Sequence, residues 1–335
     1  MNKKYATIKD IAKSLDISIA TVSRALRNAY DVSSETRKKV LEEAERLKYR
    51  PNLNATGLVN SRTNKIGVII PSIVNYYFST VITGIQDHAI ENDYQVILFL
   101  TNDSFAWELK IVRELSLTSL DGLLICLSSQ TDDFGHFEEL IKTEIPLVFF
   151  DRYSNSLQAS RVIQDDYQGA CTATEYLINC GFRKIAHITG PDNLTLVRSR
   201  SQGFLDTLSK YGLAYSVKIH SGFSQENGSQ DITNLFKSIE VPDAIFAVND
   251  RKAVGAILRL TEMGIRVGKD VGVLGFTNDP ISEIISPKLS SIAEPAYDIG
   301  KKSCELLLKH IRKPNLPVEE IKLPTHLVIR ESTGR

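Results

Sequence analysis

Residues 6–26 read ATIKDIAKSLDISIATVSRAL and contain two short helical patterns placed back to back. In the first pattern the apolar residues recur at helical spacing, and Thr7 stands where an N-cap is expected. The second pattern can begin at Ser18, with Asp16 and Ile17 forming the turn between the two. Helices joined by so short a turn cross at a steep angle, so the stretch predicts a helix-turn-helix.

A third helix is predicted within VSSETRKKVLEEAERLKY, residues 32–49, where Ser33 or Ser34 is placed to cap the first turn. Its inward stripe is expected to consist of Val40, Leu41, Ala44 and Leu47. Residues 1–50 are thus expected to form a small three-helix unit whose second helix is free to face outward.

The charge of the chain is unevenly distributed. Residues 1–65 carry 14 Lys and Arg against 7 Asp and Glu, whereas the whole chain has 40 of each kind. A basic end followed by an acidic body favours a polyanionic partner for the helical unit alone. On charge alone, an ordinary solvent-exposed surface explains the excess of basic residues equally well.

The outward residues of the second predicted helix suit DNA. Ile19, Ala20 and Arg24 can reach base edges in a major groove, and Arg24 is the best candidate for a bidentate guanine contact. Hydroxyl side chains nearby are suited to phosphate oxygens: Thr7, Ser18, Thr21 and Ser23. The alternative is that all of these are ordinary exposed residues of a small helical domain.

Three strings in combination carry a family resemblance: S-x-A-T-V-S-R at residues 18–24, V-S-x-x-T-R at residues 32–37, and Y-R-P-N at residues 49–52. With KIGVIIPSIVNYYFSTVITGI following, the chain resembles the LacI/GalR family of bacterial transcription regulators over essentially its whole length. The resemblance implies sequence-specific binding of a palindromic double-stranded operator by a homodimer, and it favours repression over activation.

Residues 51–64, PNLNATGLVNSRTN, have the polar composition of a linker. The resemblance implies that this linker is a hinge, in which Asn52 contacts DNA and Leu58 enters the minor groove as an apolar wedge. The chain has Ala55-Thr56-Gly57-Leu58 where the family pattern is A-R-S-L. Gly57 costs about 1 kcal/mol of helix propensity relative to alanine. We therefore expect a soft hinge.

From Lys65 onward, short apolar runs alternate with helical patterns. The runs KIGVIIP, YQVILFLT, DGLLICLS and PLVFFD form one series, and KIAHITG, AIFAVND and VGVLGFTN form a second. Strands alternating with helices at this spacing predict parallel sheets covered on both faces. The fold class is therefore an α/β body of two doubly wound lobes, with a cleft facing the carboxyl ends of the strands.

The resemblance implies a periplasmic-binding-protein-like body over residues 65–335, with three chain crossings between lobes near Ile163, Ile292 and Leu323. The expected lobes are an N-lobe of residues 65–163 and 293–322 and a C-lobe of residues 164–291 and 323–335. The first helix of the body, around Thr80 to Ala89, is expected at the dimer surface.

Residues at or after strand ends are candidates for binding a small-molecule effector in the cleft, and the resemblance adds Arg200. The full set is Tyr77, Phe78, Asp151, Arg200, Asn249, Thr277 and Asn278. Arg200 matches the family arginine of R-x-x-G-F, which the resemblance assigns to a sugar hydroxyl or an acidic group. Thr277 departs from the G-[FY]-D-[DN] pattern of sugar-responsive members, and this loss of a carboxylate favours a phosphorylated or acidic sugar over a neutral hexose. A structural role for Thr277 is an equally good interpretation. A competing interpretation makes Asp151 and Asp250 simple helix caps.

Catalysis has no visible machinery. The six histidines form no cluster, and no phosphate-binding loop or nucleophile elbow is present, so we expect neither enzymatic activity nor a metal or other cofactor. Scattered cysteines and the lack of a signal peptide or membrane span predict a cytoplasmic protein. The alternatives are a solute-binding protein and an enzyme on the same body. The sequence leaves three questions open: whether the effector releases or promotes DNA binding, which molecule the effector is, and whether the protein is a dimer or a tetramer.

Overall fold

The computed structural model describes residues 6–49, 62–115, 120–143, 145–214, 217–237 and 241–334. The chain divides into two compact units, and the boundary along the chain lies between Thr63 and Asn64. The first unit is helical and the second is α/β. Asn52 and Leu58, the residues assigned to the hinge, lie outside the described residues. No helix in the described ranges is long and apolar enough to cross a membrane.

The helical unit has the three helices expected from the sequence: α1 (Ile8–Leu15), α2 (Ile19–Leu26) and α3 (Ser34–Arg46). Each begins with a polar cap that satisfies free backbone donors. The Ser18 hydroxyl accepts from the Thr21 amide at 3.0 Å, and the Ser33 hydroxyl accepts from the Thr36 amide at 3.1 Å. The buried core consists of Ile11, Ala12, Val22, Ala25, Val32, Val40 and Ala44.

The expected inward stripe of α3 is wrong at Leu41, which is 51% exposed. Leu41 is rotated about 100° from Val40 around the helix, whereas Glu43 lies one turn further along on the buried side. Glu43 is buried because it is paired: the Ser14 hydroxyl and the Arg46 guanidinium donate to its carboxylate. These two hydrogen bonds lower the pKa of Glu43 to about 2.

Among the described residues, the N-lobe sheet has six strands in the order β11-β5-β4-β3-β1-β2, all parallel to their neighbours. In chain order its elements are β1 (Lys65–Ile70), α4 (Tyr76–Glu91), β2 (Gln95–Leu100), α5 (Phe105–Glu114), β3 (Gly122–Ile125), α6 (Gly135–Ile141), β4 (Leu147–Phe150), β5 (Ser160–Gln164), α12 (Ala296–Arg312) and β11 (Glu320–Leu323).

The C-lobe sheet has the order β12-β10-β9-β8-β6-β7, and only β12 is antiparallel to its neighbour among the described strands. Its elements are α7 (Asp166–Asn179), β6 (Ile185–Thr189), α8 (Thr195–Lys210), β7 (Val217–His220), α9 (Gln225–Leu235), β8 (Ala244–Ala247), α10 (Asp250–Glu262), β9 (Gly272–Thr277), α11 (Ile281–Ile284), β10 (Ser290–Ala293) and β12 (His326–Val328).

The chain passes between the two sheets three times, after Gln164, after Ala293 and after Leu323. The carboxyl ends of the parallel strands of both sheets carry the residues that face the cleft. This is the crevice position in which open α/β sheets bind ligands.

A close helix contact fixes α4, which carries Tyr77 and Phe78 into the cleft. A side chain at Gly84 would place its Cβ 2.1 Å from the backbone oxygen of Tyr297 on α12, and one at Gly300 would lie 2.0 Å from the oxygen of Val81. Only glycine permits this spacing, so the two helices act as one rigid support for the cleft residues.

The edge strand β2 differs from the fully covered strand predicted from its apolar run. Its side chains alternate irregularly between exposed and half-buried, and Ile97, Leu98 and Leu100 are among the exposed ones. β2 lies at the end of the sheet, paired only with β1 among the described strands. An exposed apolar sheet edge of this kind favours association with another chain.

Candidate functional sites

The exposed face of α2 carries the three residues that the sequence assigns to base edges. Ile19 is 46% exposed, and Ala20 and Arg24 are also exposed, whereas Val22 and Ala25 on the opposite face are buried. The helix therefore presents a short apolar patch next to one guanidinium. This arrangement suits apolar and hydrogen-bonding contacts to base edges.

The hydroxyl residues near this face are partly engaged in the fold. Asp10 accepts from both the amide and the hydroxyl of Thr7, at 2.7 and 2.8 Å. Ser18 and Thr21 share a hydrogen bond at the start of α2. The Ser23 hydroxyl accepts from Arg27 Nη2 at 3.0 Å.

Arg24 makes a single exposed ion pair in the described helical unit, from its Nη1 to Asp31 Oδ2 at 2.9 Å. The two side chains are 47% and 38% exposed, and an exposed pair of this kind is worth about 1 kcal/mol or less. Breaking this ion pair therefore costs little, which leaves the Arg24 guanidinium available to a stronger hydrogen-bond acceptor.

A cavity of about 250 Å³ lies between the two lobes at the strand ends. Its volume is close to the lower limit of small-molecule sites. Six of the seven effector-binding candidates line it: Tyr77, Phe78, Asp151, Arg200, Asn249 and Thr277. The seventh, Asn278, does not; it lines a neighbouring cavity of about 210 Å³, and its side-chain oxygen accepts from Arg330 at 2.8 Å.

Asp151 occupies the N-lobe side of the cavity, directly after β4. It has a positive φ of 57°, and no helix begins at this point, so the interpretation of Asp151 as a helix cap is wrong. Its Oδ1 accepts from Gln164 Nε2 at 3.0 Å, and the Tyr77 hydroxyl donates to Gln164 Oε1 at 3.1 Å. The buried Gln164 thereby orients both cavity residues.

Asp250 has a structural role. It is the first residue of α10 and is buried, and it accepts hydrogen bonds from the amide of Asp279 and from the hydroxyls of Ser282 and Ser291 at 2.6 to 2.8 Å. Burial raises the pKa of Asp250 to about 6, against these hydrogen bonds. The cap of α10 itself is Asn249, whose Oδ1 accepts from the Lys252 amide at 2.8 Å.

Arg200 is almost fully enclosed by protein. Its Nε donates to Asp166 at 2.8 Å, its Nη1 to the carbonyl of Val248 at 2.6 Å and its Nη2 to Glu294 at 2.5 Å. The guanidinium also lies 3.6 Å from the ring centre of Phe276. Burial alone would lower its pKa, but the carboxylates of Asp166 and Glu294 raise it instead. Arg200 thus ties the segments at the chain crossings together. It also lines the cavity, so its assignment to the effector stays a prediction.

Burial has the opposite effect on the two carboxyl partners. It raises the pKa of Asp166 to about 6 and that of Glu294 to about 7, although Arg200 acts to lower both. Of the two, Glu294 lines the cavity, so the cavity wall holds one carboxyl group whose pKa is close to neutral pH.

Arg152 extends along the cavity and contacts both lobes. Its guanidinium pairs with Asp103 at 2.7 Å and lies 5.6 Å from the ring centre of Phe78 and 5.2 Å from that of Phe223. Phe223 belongs to the C-lobe, so the contact is a cation–π bridge between lobes. Asn193 adds a second link by donating to the carbonyl of Ser129 at 2.8 Å.

Several cavity residues escaped the sequence analysis: Asn75, Asp103, Arg152, Phe223, Arg251 and Glu294. Arg152 follows the predicted residue Asp151 directly, and Arg251 lies two positions after the predicted Asn249. Including one or two further residues after each strand end would have found both. Glu294 directly follows the strand β10 (Ser290–Ala293), but the weakly apolar run SSIA was not recognised as a strand from the sequence.

The helical unit with its exposed second helix, followed by a two-lobed body with a central cavity, defines the class of ligand-responsive DNA-binding regulators. Comparison with known families agrees. Residues 7–52 match the model for bacterial regulatory proteins of the lacI family, and residues 174–333 match a periplasmic binding protein-like domain.

Known proteins match over nearly the full length. Catabolite control protein A of Priestia megaterium is 32% identical over 98% of this chain and 99% of its own, and the ribose operon repressor of Halalkalibacterium halodurans is 32% identical over 98% and 97%. The structure of the lac repressor dimer bound to operator and the anti-inducer ONPF aligns at a TM-score of 0.88, with 26% identity, 98% of this chain and 99% of that chain.

A LacI family regulator from Enterococcus faecium with bound ribose aligns at a TM-score of 0.71, with 30% identity over 80% of this chain and 98% of that chain. The chain belongs to the lacI family of bacterial regulatory proteins and is a DNA-binding transcription regulator.

Proposed function

We propose that the protein is a cytoplasmic homodimeric repressor that binds a palindromic operator through α2 and responds to a carbohydrate-like effector in the interlobe cavity. The observation that carries the proposal is the pairing, in one chain, of the exposed Ile19, Ala20 and Arg24 face with a polar cavity at the strand ends. The neighbours with bound ribose and cellobiose, and the repressors among the relatives, support it.

The domain plan proposed with this function is residues 1–50 for DNA binding, 51–64 for the hinge and 65–335 for effector binding and dimerisation. Thr7, Ser18, Thr21, Ser23 and Asn52 are proposed phosphate or DNA contacts, and Leu58 is the proposed wedge. Relatives that are named regulators, together with a cavity built for binding, favour a role without catalysis.

The cavity offers what a polyhydroxylated ligand requires. Asp151 and Glu294 supply carboxylate acceptors, Asn249 supplies an amide, and Tyr77 and Phe78 supply apolar surface. Carboxylates recognise hydroxyl groups through strong charge-assisted hydrogen bonds. The aromatic faces cover the apolar side of a sugar ring.

Dimerisation is favoured by the exposed apolar residues of β2. Ile97, Leu98 and Leu100 lie on this edge strand. The segment from Thr80 to Ala89 of α4, which packs against β2, completes the proposed dimer surface. A second copy packed against this edge would bury its apolar side chains and protect the open strand from pairing with other chains. A symmetric dimer then presents two α2 helices to two half-sites.

Replacing Arg24 with alanine is expected to reduce discrimination between operator and scrambled DNA by about 1–3 kcal/mol, since one bidentate base contact is lost. The measurement is fluorescence anisotropy with an operator obtained by selection from a palindromic library. Lys39→Ala is the matched control, because Lys39 is an exposed cation on α3 that pairs with Glu35 away from α2. If Arg24→Ala discriminates between operator and scrambled DNA as well as the parent does, the assignment of α2 to base recognition is wrong.

A further inference from the structure

Two carboxylates of the N-lobe hold the loop that follows β3 in one conformation. Glu108 on α5 is fully buried, and its carboxylate accepts from the amide of Ser128 and from the hydroxyl of Thr131, both at 2.7 Å. Asp103 accepts from the amide and the hydroxyl of Ser129 at 2.8 and 2.6 Å. Four hydrogen bonds to three loop residues leave the backbone of this loop little freedom.

The opposite lobe binds this loop, residues 128–131, through one side-chain amide. Asn193 Nδ2 donates to the carbonyl of Ser129 at 2.8 Å and to that of Thr131 at 3.4 Å. On the C-lobe side, the Arg198 guanidinium donates to the backbone carbonyl of Asn193 at 2.7 Å. The backbone is thus held in place on both sides of the contact, so forming the contact orders few further groups.

The Asn193 side chain does not cap the helix that follows it. α8 begins at Thr195 with Leu194 as its N-cap, and no side chain accepts from its first amides in the described structure. Asparagine is one of the preferred residues for capping a helix start. The amide of Asn193 instead spans the two lobes, which gives it a role that local helix stability does not explain.

The contact lies far from the chain crossings. The loop follows β3, which is two strands from β5 in its sheet, and Asn193 follows β6, which is three strands from β10 in the other sheet. With strands about 4.8 Å apart, these positions lie roughly 10 and 14 Å from the crossings. A lobe rotation of about 10° would move Asn193 by roughly 2 Å, which is enough to break a hydrogen bond.

We propose that Asn193 is the latch residue of this regulator, which holds the two lobes in the arrangement described here by binding the carbonyls of the loop. The proposal rests on the proposed control of operator binding through the body. Glu108 and Asp103 are positioning residues, because they act on the loop. A weaker latch shifts the population of lobe arrangements, and so changes operator affinity without altering any residue proposed to contact DNA.

The test measures the operator affinity of the full chain without effector, by fluorescence anisotropy on the selected operator. Asn193→Ala removes the amide donor, whereas Asn193→Asp keeps the shape and places a carboxylate oxygen against two carbonyl oxygens. Asp192→Ala is the matched control, because Asp192 is the preceding residue and its side chain is exposed. Melting temperatures within about 2 °C of the parent would show that the variants are folded.

The loss of one exposed hydrogen bond is expected to change operator affinity about threefold in Asn193→Ala, and repulsion is expected to change it about tenfold, in the same direction, in Asn193→Asp. The control is expected to stay within about twofold of the parent. A packing role would instead leave the isosteric aspartate variant closest to the parent. That order, changes of opposite sign, or both variants within about twofold of the parent would overturn the proposal.

Sugar binding to the parent is measured separately, by isothermal titration calorimetry with D-ribose, D-glucose, cellobiose and D-glucuronate. If none of the four binds, the carbohydrate function is contradicted. The operator measurement contains no sugar, so its outcome still decides whether Asn193 is a latch.

Discussion

Replacing Arg200 with alanine is expected to lower the free energy of unfolding of the α/β unit by about 3–5 kcal/mol, because it leaves two buried carboxyl groups without their cation. Asp166 and Glu294 both bond to the guanidinium, and their side chains are 7% and 5% exposed. Protonation of these groups offsets part of the loss, since their pKa values are already raised to about 6 and about 7. The loss is therefore expected to be larger at pH 8 than at pH 6.

The measurement is thermal denaturation followed by the fluorescence of Trp107, the single tryptophan of the chain, which lies on α5 of the N-lobe. A fall of about 10 °C in the melting temperature corresponds to the expected loss for a unit of this size. Arg198→Ala is the matched control, because Arg198 lies on the same helix but is exposed and bonds only to nearby groups in the described structure. Equal melting temperatures for the two variants would show that Arg200 is not a structural tie.

Replacing Lys252 with alanine is expected to have an effect of similar size. Its ammonium group is completely buried and donates to the carbonyl of Thr189 at 2.6 Å and to the Ser221 hydroxyl at 2.7 Å. It also pairs with Asp231 Oδ2 at 2.7 Å. Burial lowers the pKa of Lys252, while Asp231 acts to raise it. Removing the ammonium leaves the buried Asp231 carboxylate without its cation, a loss of about 3–5 kcal/mol.

Arg251→Ala provides the contrast for this prediction. Arg251 is the preceding residue on α10, but it is exposed and lines the cavity. We expect Lys252→Ala to lower the urea midpoint of the C-lobe and Arg251→Ala to leave it unchanged. A Lys252→Ala variant as stable as the parent would mean that this buried ion pair contributes nothing to the fold.

The fold could be predicted from sequence because its signals are local. Thr7, Ser18 and Ser33 are polar caps placed directly before apolar periodic segments, and each precedes a helix in the structure. The apolar runs that begin at Lys65 became strands of two parallel-dominated sheets. Capping and periodicity depend on residues a few positions apart, so the chain alone contains the information.

The cavity could be predicted only in part, because its chemistry depends on contacts between distant segments. Their positions at strand ends predicted Asp151 and Asn249 as cavity residues. The sequence did not predict that Arg200 is held by Asp166 and Glu294. Nothing in the local pattern marks Glu294 as the neighbour of Thr277. Register between β9 and β10 creates that pairing, and register is a property of the assembled sheet.

The arrangement of Arg152, Gln164, Arg200 and Glu294 gives a physical basis for control by an effector. These residues join both lobes to one another and to the cavity. A ligand that binds one lobe arrangement more tightly shifts the population toward it, by no more than its difference in affinity for the two. The same linkage requires that DNA binding change the effector affinity by an equal factor.

The most direct test of the account is a titration of the protein on its selected operator, followed by fluorescence anisotropy, with and without the tightest-binding sugar at 100 times its dissociation constant. We expect the sugar to change the operator affinity by fivefold or more, in either direction, which is the range of ordinary allosteric coupling. A sugar that binds in the cavity and leaves operator affinity unchanged would contradict an effector-controlled regulator.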